Sequence, residues 1–302
     1  MWMWRRSVRE TDGLAASITA MSDLSSSSGL PPGARGDDRR HAVDRRSGER
    51  RDRRELGPPV VQFRNIWKSF GANSIYEGLD LTVHQGETLT IVGGSGTGKS
   101  VLLKCLLRLI VPDRGEIEAF GEEVTGRQES EMTKIRSRIG MLFQGAALFD
   151  SLSVADNIAY PLRQQCWGDE DAIRDRVEEV LEMVNLPGIE RKWPAELSGG
   201  MKKRVGLARA IALEPEVILY DEPTTGLDPT NVKRIDELII DMQRRLGVTS
   251  IVVTHDMGSA FRVSDRLAML YDKKIVWTGF KDEVESAENP VVQDFISGNI
   301  GE

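Results

Sequence analysis

The chain has 302 residues, 29% of them charged, and a formal net charge of −7, room for one large domain or two small ones of ordinary soluble composition. The charge is uneven: residues 1–56 carry 12 Arg against 9 acidic residues, and residues 57–302 carry 28 Lys and Arg against 38 acidic residues. An acidic body argues against nucleic-acid binding. Two well-separated cysteines, Cys105 and Cys166, offer neither a disulfide framework nor a metal site and fit a reducing compartment.

Residues 1–56 run through SSSSGLPPGARG into DDRRHAVDRRSGERRDRRE, a composition too poor in apolar residues to build a core, so a disordered Arg-rich tail is expected. Its DRR triplets read as a solvated mixed-charge segment or, more sharply, as a patch for anionic lipid headgroups or RNA, a reading the interspersed acids weaken. The opening MWMWRRSVRETDG has no apolar run behind its basic residues, so no secretory signal is expected.

From residue 57 the pattern becomes globular. VVQFRNIWKSF at 60–70 and the alternating LDLTV at 79–83 read as strands. TLTIV at 88–92 is a continuous apolar run, as expected of a strand buried on both faces. A glycine-rich loop follows, then a helix expected to reach about Ile110 and to stop at Pro112. The apolar run here, VLLKCLLRLIV at 101–111, is too short to cross a membrane and is broken by Lys104 and Arg108. IGMLF at 139–143 reads as another strand; Ile173, Val177, Val180, Leu181 and Val184 fall on one helical face. VILY at 217–220, SIVVT at 250–254 and RLAML at 266–270 complete a set of buried strands with helices between them. This alternation implies an α/β fold with a mostly parallel sheet, and the helix-rich stretch from about 146 to 212 reads as a subdomain inserted into it.

GGSGTGKS at Gly93–Ser100 matches the phosphate-cradling pattern G-x-x-x-x-G-K-[ST], directly after a buried strand and before a helix. Gly93, Gly94, Ser95, Gly96, Thr97 and Gly98 turn backbone N–H groups towards phosphate oxygens, and the helix N-terminus adds a favourable dipole. Lys99 reaches the β- and γ-phosphates of a nucleotide, and the Ser100 hydroxyl can ligate Mg²⁺. VILYDE then delivers Asp221 at a strand end as a second Mg²⁺ anchor, with Glu222 next to it to polarise an attacking water.

With Gln144 after a strand, LSGGM at 197–201 before a basic helix, YDEP at 220–223, GLD at 226–228 and His255 closing a further strand, the chain resembles the ATP-binding subunits of ABC transporters over about residues 60–296. The segments MLFQGAALFDSLSVADNIAYPLR and ELSGGMKKRVGLARAIALEPEVILYDEPTTGLDP are similar, more narrowly, to the Mla/Mce-associated ATPases that energise phospholipid trafficking between the membranes of diderm bacteria; Met201 in place of the usual glutamine points the same way. The resemblance implies a P-loop NTPase of ABC type, with an antiparallel β subdomain and an inserted α-helical subdomain beside the parallel core. It implies ATP and Mg²⁺ as cofactors and a peripheral place on the cytoplasmic face of the bacterial inner membrane. Phe70 would stack on adenine, Gln144 would sense Mg²⁺ and water, and His255 would hold the γ-phosphate. Ser198, Gly199 and Gly200 would contact a γ-phosphate in trans, and Asp228 would reach across a dimer interface.

Two cradles in one chain need two chains. In a head-to-tail homodimer each Ser198–Gly200 closes the nucleotide held by the other chain's Lys99, so ATP holds the interface together and hydrolysis loosens it. The expected partners are an integral membrane permease, docking near Ala146–Leu162, and the lipid-binding Mce-type and small regulatory subunits of the resembled systems. Leu148, Phe149, Leu152, Val154, Ile158, Tyr160 and Leu162 are the apolar residues that would line the docking groove. A soluble ABC ATPase acting on ribosomes or DNA, and an ABC subunit for another cargo, remain open. The first usually carries two cassettes or long insertions, which this chain lacks.

Overall fold

The structure is a computed structural model that describes residues 56–297; the expected tail, apart from Leu56, lies outside them. β1 (Pro59–Phe70) and β2 (Asn73–His84) form an antiparallel hairpin that turns at Gly71, whose φ of 59° suits a residue without Cβ. The second strand is longer than its LDLTV signal because its first half is polar. Asn65 sits at a bulge with φ 51°. The extra residue lets Phe63 and Ile66, which strict alternation would place on opposite faces, both point into the core opposite Leu81 and Leu79.

β3 (Thr88–Val92) is buried along its whole length and leads through the glycine loop into α1 (Lys99–Leu106). The helix ends at Leu106, not near Ile110. Arg108 takes a left-handed conformation (φ 53°), its N–H donates to the Cys105 carbonyl (2.9 Å), and the Leu109 N–H donates to the Lys104 carbonyl (2.9 Å). This is a glycine-type helix stop built with an arginine, so no glycine announced it.

β4 (Arg114–Ala119) and β5 (Glu122–Glu123) extend the antiparallel sheet, in the order β2-β1-β4-β5. α2 (Glu129–Arg136) leads to β6 (Ile139–Leu142). α3 (Val154–Gln164), α4 (Glu170–Met183) and α5 (Gly199–Ile211) occupy the stretch expected to be helical. β7 (Val217–Asp221), α6 (Pro229–Leu246), β8 (Thr249–Thr254), α7 (Met257–Val263), β9 (Arg266–Tyr271), β10 (Lys274–Phe280) and α8 (Pro290–Ile296) follow. No helix among the described residues is long and apolar enough to cross a membrane.

The second sheet has the order β10-β9-β3-β8-β7-β6, parallel except for β10. Its strands read as unbroken apolar runs because both faces are covered. One face packs on α1 and the antiparallel sheet through Leu89, Ile91, Leu219 and Val253. The other packs on the helices through Ile218, Tyr220 and Val252, at about 1.5–3 kcal/mol for each fully buried aliphatic side chain. The Ile173, Val177, Val180, Leu181 and Val184 stripe of α4 is buried in that second layer. Register places the strand ends side by side: Val92 opposite Thr254, Val253 opposite Asp221, Tyr220 opposite Leu142. The loops after β3, β8, β7 and β6 therefore leave the sheet at one edge, where an open α/β sheet presents its ligand site.

Candidate active site

The glycine loop is shaped for an anion. Gly98 caps α1 at φ 101°, a conformation closed to most residues, and a Cβ there would stand 2.5 Å from the Ile75 side chain. A Cβ on Gly93 would meet the Leu270 carbonyl oxygen at 2.4 Å. The loop is braced from below by the buried Tyr76, whose hydroxyl donates to the Gly98 carbonyl (2.6 Å), and internally by Thr97, whose hydroxyl donates to Gly94 (3.0 Å). Among the described residues no acceptor takes the backbone N–H groups of Ser95 to Lys99, and unpaired donors at a helix N-terminus form a site for phosphate oxygens. Gly93→Ala should weaken ATP binding by about tenfold or more, because the clash is with backbone and cannot be rotated away. Titration with a fluorescent ATP analogue, beside a melting curve, checks it.

Lys99 is buried, its ammonium donating to the Gly93 (2.9 Å) and Gly94 (2.8 Å) carbonyls and lying 4.0 Å from Glu222. Burial pulls its pKa below the ordinary lysine value, against the attraction of Glu222 and Asp221. The Ser100 hydroxyl donates to Asp221 Oδ1 at 2.5 Å. Glu222 has the hydrogen-bonding of a positioned carboxylate: Thr225 donates to Oε2 (2.9 Å), and His255 Nδ1 lies 3.0 Å from Oε1 and 2.9 Å from Oε2. A carboxylate only accepts, so this contact places a proton on His255 Nδ1. Glu222 also sits at φ 47° in front of Pro223, a left-handed conformation that costs a non-glycine residue about 1–3 kcal/mol and clusters at functional sites.

The structure thus joins Lys99, Ser100, Asp221, Glu222 and His255 into one bonded cluster. Gln144 stands apart, exposed and two residues beyond β6, and Phe70 stands at the hairpin end, 48% exposed with the Lys68 ammonium 5.3 Å above its ring. Ser198, Gly199, Gly200 and Asp228 form a second group. Ser198 caps α5 by accepting from the Met201 N–H (3.3 Å), and a Cβ on Gly200 would meet the Asn231 amide at 2.7 Å. Asp228 caps α6 by accepting from Thr230 (3.0 Å) and Asn231 (3.1 Å) N–H. The Asn231 side chain, and then its N–H, holds the Asp228 carboxyl below its usual pKa. Ser198 and Gly199 are exposed, and no hydrogen bond among the described residues ties this second group to the first.

Sequence reasoning missed Tyr76, Lys203, Asn157 and Arg209. Lys203 donates to the Glu222 carbonyl (3.0 Å). Asn157, fully buried, accepts from the Phe149 N–H (2.8 Å) and reaches the Phe149, Leu152 and Ser153 carbonyls at 3.0–3.1 Å. Arg209 donates to the Ala146 (2.8 Å) and Ala147 (2.7 Å) carbonyls, both on left-handed residues. The docking segment needs a correction. Val154, Ile158 and Leu162 lie on the inner face of α3 and are core, and Leu148 and Leu152 are half-buried. Phe149 and Tyr160 alone of that set are exposed, with ring centroids 5.0 Å apart. They flank an open groove of about 500 Å³ that Phe143, Pro161, Arg209 and Leu213 also line.

A parallel sheet that ends in a phosphate loop with its lysine and hydroxyl, beside a strand-end carboxylate pair, is the architecture of a nucleoside-triphosphate hydrolase. The ABC transporter family model matches residues 76–225. The chain is 42% identical over 239 residues to the probable ribonucleotide transport ATP-binding protein mkl of Mycobacterium leprae, covering 79% of this chain and 69% of the relative. It is 39% identical over 239 residues to the intermembrane phospholipid transport system ATP-binding protein MlaF of Escherichia coli K12, covering 79% and 89%. Among solved structures it resembles the dimeric post-hydrolysis state of the ATP-binding cassette MJ0796 bound to ADP and Pi, with TM-score 0.68, 31% identity, and 73% and 98% of the two chains covered. The chain belongs to the ATP-binding proteins of ABC transporters, and it is an ATPase.

Proposed function

We propose that the chain works as an ATP-dependent homodimer that drives a membrane permease moving phospholipid between bacterial membranes, from the cytoplasmic face of the inner membrane. The observation that carries the dimer is the separation of the two groups: a hydrolytic cluster around Glu222, and a capped helix start, exposed at Ser198 and Gly199, with no substrate of its own. A second copy, turned about a two-fold axis, gives each helix start a triphosphate to close. The solved cassette MJ0796 is dimeric, which supports the same arrangement.

Within one site the residues divide the work. Phe70 offers a ring face to adenine, and residues 93–98 take the phosphate oxygens. Lys99 exchanges its loop carbonyls for the β- and γ-phosphates. Ser100, Asp221 and Gln144 are all-oxygen donors that suit Mg²⁺, an ion that shares its shell with substrate phosphates. Mg²⁺, when bound, neutralises charge on the β- and γ-phosphate oxygens. Glu222 accepts a hydrogen bond from the attacking water, and His255, once its proton is turned from Glu222, donates to the γ-phosphate.

The groove at Phe149 and Tyr160 is the place for the permease. It follows Gln144 directly, and Arg209 and Asn157 hold its rim rigid, so a change at Gln144 is passed on. Phe149→Asp should reduce permease capture about tenfold or more while ATP binding by the isolated subunit is unchanged. A pull-down with the cognate permease beside nucleotide titration checks this. Leu152 is half-buried, so a charge there disturbs packing and Phe149 is the cleaner probe.

Phospholipid as cargo is supported by the MlaF relative; the Arabidopsis thaliana protein trigalactosyldiacylglycerol 3, 40% identical over 258 residues, carries the name of a galactolipid and supports only a lipid cargo, and the mkl relatives carry a ribonucleotide name instead. Copurification with a polytopic membrane protein, an Mce-type lipid-binding subunit and small regulatory subunits, then ATP-dependent transfer of labelled phospholipid between vesicles, tests the proposal. ATP-dependent movement of ribonucleotide with no lipid transfer would replace the cargo.

A further inference from the structure

Lys203 is a buried ammonium for which the scheme above has no task. It lies in the second turn of α5, only 5% exposed, and its Nζ donates to the backbone carbonyl of Glu222 at 3.0 Å. Burial lowers its pKa, while Asp221 and Glu222 pull it back up. A methionine would fill the same space without burying a charge, so the ammonium serves something other than packing. The hydrogen bond falls on the one left-handed, pre-proline residue of the site. Glu222 is held at three points: its N–H donates to Val253 (2.9 Å), its carboxylate is gripped by His255 and Thr225, and its carbonyl receives Lys203.

We propose that Lys203 is a positioning residue that carries the state of the α5 N-terminus to the carboxylate of Glu222. The inference rests on the reading that Ser198–Gly200 closes on the partner's nucleotide. Ser198 caps the same unbroken helix, α5, to which Lys203 belongs, its inner face buried at Gly200, Lys203, Val205, Gly206, Leu207 and Ala208, so a shift at Ser198 is carried along the helix to Lys203. Nζ holds the carbonyl end of a residue whose other end aims at water, and a strained backbone has two arrangements to choose between rather than a broad range. Lys203 is also the cation that stays beside the Asp221–Glu222 pair when Lys99 turns to phosphate. Nucleotide in the partner's site thereby sets the aim of this chain's carboxylate, and the two sites fire in concert.

The test uses the full chain with its permease, as Lys203→Met, which keeps length and loses the donor, and Lys203→Gln, which keeps a donor without the charge. Lys203→Met should lower kcat about tenfold with KM within about twofold, and its Hill coefficient for ATP should fall towards about 1. Lys203→Gln should recover at least about a third of kcat. In a Glu222→Gln background, the ATP-locked dimer should form at the same ATP concentration with or without Lys203→Met, since the relay lies downstream of closure. Wild-type kcat and Hill coefficient in Lys203→Met overturn the proposal. So does loss of the locked dimer together with a lowered melting temperature in both variants, which marks a structural role. Ser198→Arg separates the two readings. If it is inactive while Lys203→Met is normal, the dimer stands and the relay falls. If it is fully active, the dimer reading itself fails and takes the relay with it.

Discussion

Glu222→Gln is expected to keep ATP binding and to lose turnover by about two to four orders of magnitude, the range of a positioned general base. The amide has the shape of the carboxylate and keeps one oxygen for Thr225 or His255, so the left-handed backbone and its bonds to Val253 and Lys203 persist. What is lost is the charge that draws a proton from water. ATP then binds and is not consumed, and the protein should collect as an ATP-bound dimer. Phosphate release, nucleotide titration and size-exclusion chromatography with ATP check the three parts. Near-normal phosphate release would remove Glu222 from the role.

Mixing Lys99→Ala with Ser198→Arg should restore activity that neither variant has alone. Lys99→Ala removes the ammonium from the phosphate loop, and Ser198→Arg sets a long side chain on an exposed cap that another molecule must approach. Each homodimer has two damaged sites. The heterodimer has one site with both defects and one with neither. With random pairing at equal amounts, half of the dimers are mixed and each holds one good site, so about a quarter of wild-type activity returns if that site fires alone, and about tenfold less if its Glu222, on the Ser198→Arg chain, needs the relay through Lys203. Phosphate release across a titration of mixing ratios, with each variant's melting temperature as control, reads this out. A Ser198→Arg homodimer with full activity would refute the assignment of α5 to the partner's nucleotide.

Much of the bonded cluster was legible in the chain because its signals are local. A glycine loop between an apolar run and a helix, and two carboxylates ending VILY, are short patterns whose chemistry and fold coincide. Of the strands that escaped, β4 and β5 are polar, whereas β10 (KIVWTGF) is an apolar, partly buried edge strand. RGEIEA in β4 alternates, but with charges on its outer face, and β5 is two glutamates. Tyr76, Asn157, Arg209 and Lys203 escaped for other reasons: Tyr76 and Arg209 act across long sequence separations, Asn157 is a polar residue on the buried face of a helix, and Lys203 in MKKR reads as one more surface lysine until Glu222 is seen above it. Burial of Val154, Ile158 and Leu162 was in reach, since a four-residue spacing puts them on one helical face. The docking reading treated the segment as a connection and so did not apply that periodicity.

The paired register of the parallel sheet also decides where the gene can grow. Asp221 faces Val253, and Val92 faces Thr254, so adding or removing a single codon within β7 or β8 turns every following side chain to the opposite face and carries Glu222 or His255 about 3.3 Å along the strand. Length variation is therefore barred from the strands that look simplest and permitted in the turns between the helices. The stretch between α3 and α4, exposed throughout from Gln164 to Asp169, is where an added loop, a tag or a reporter domain can be accepted without the catalytic edge registering the change.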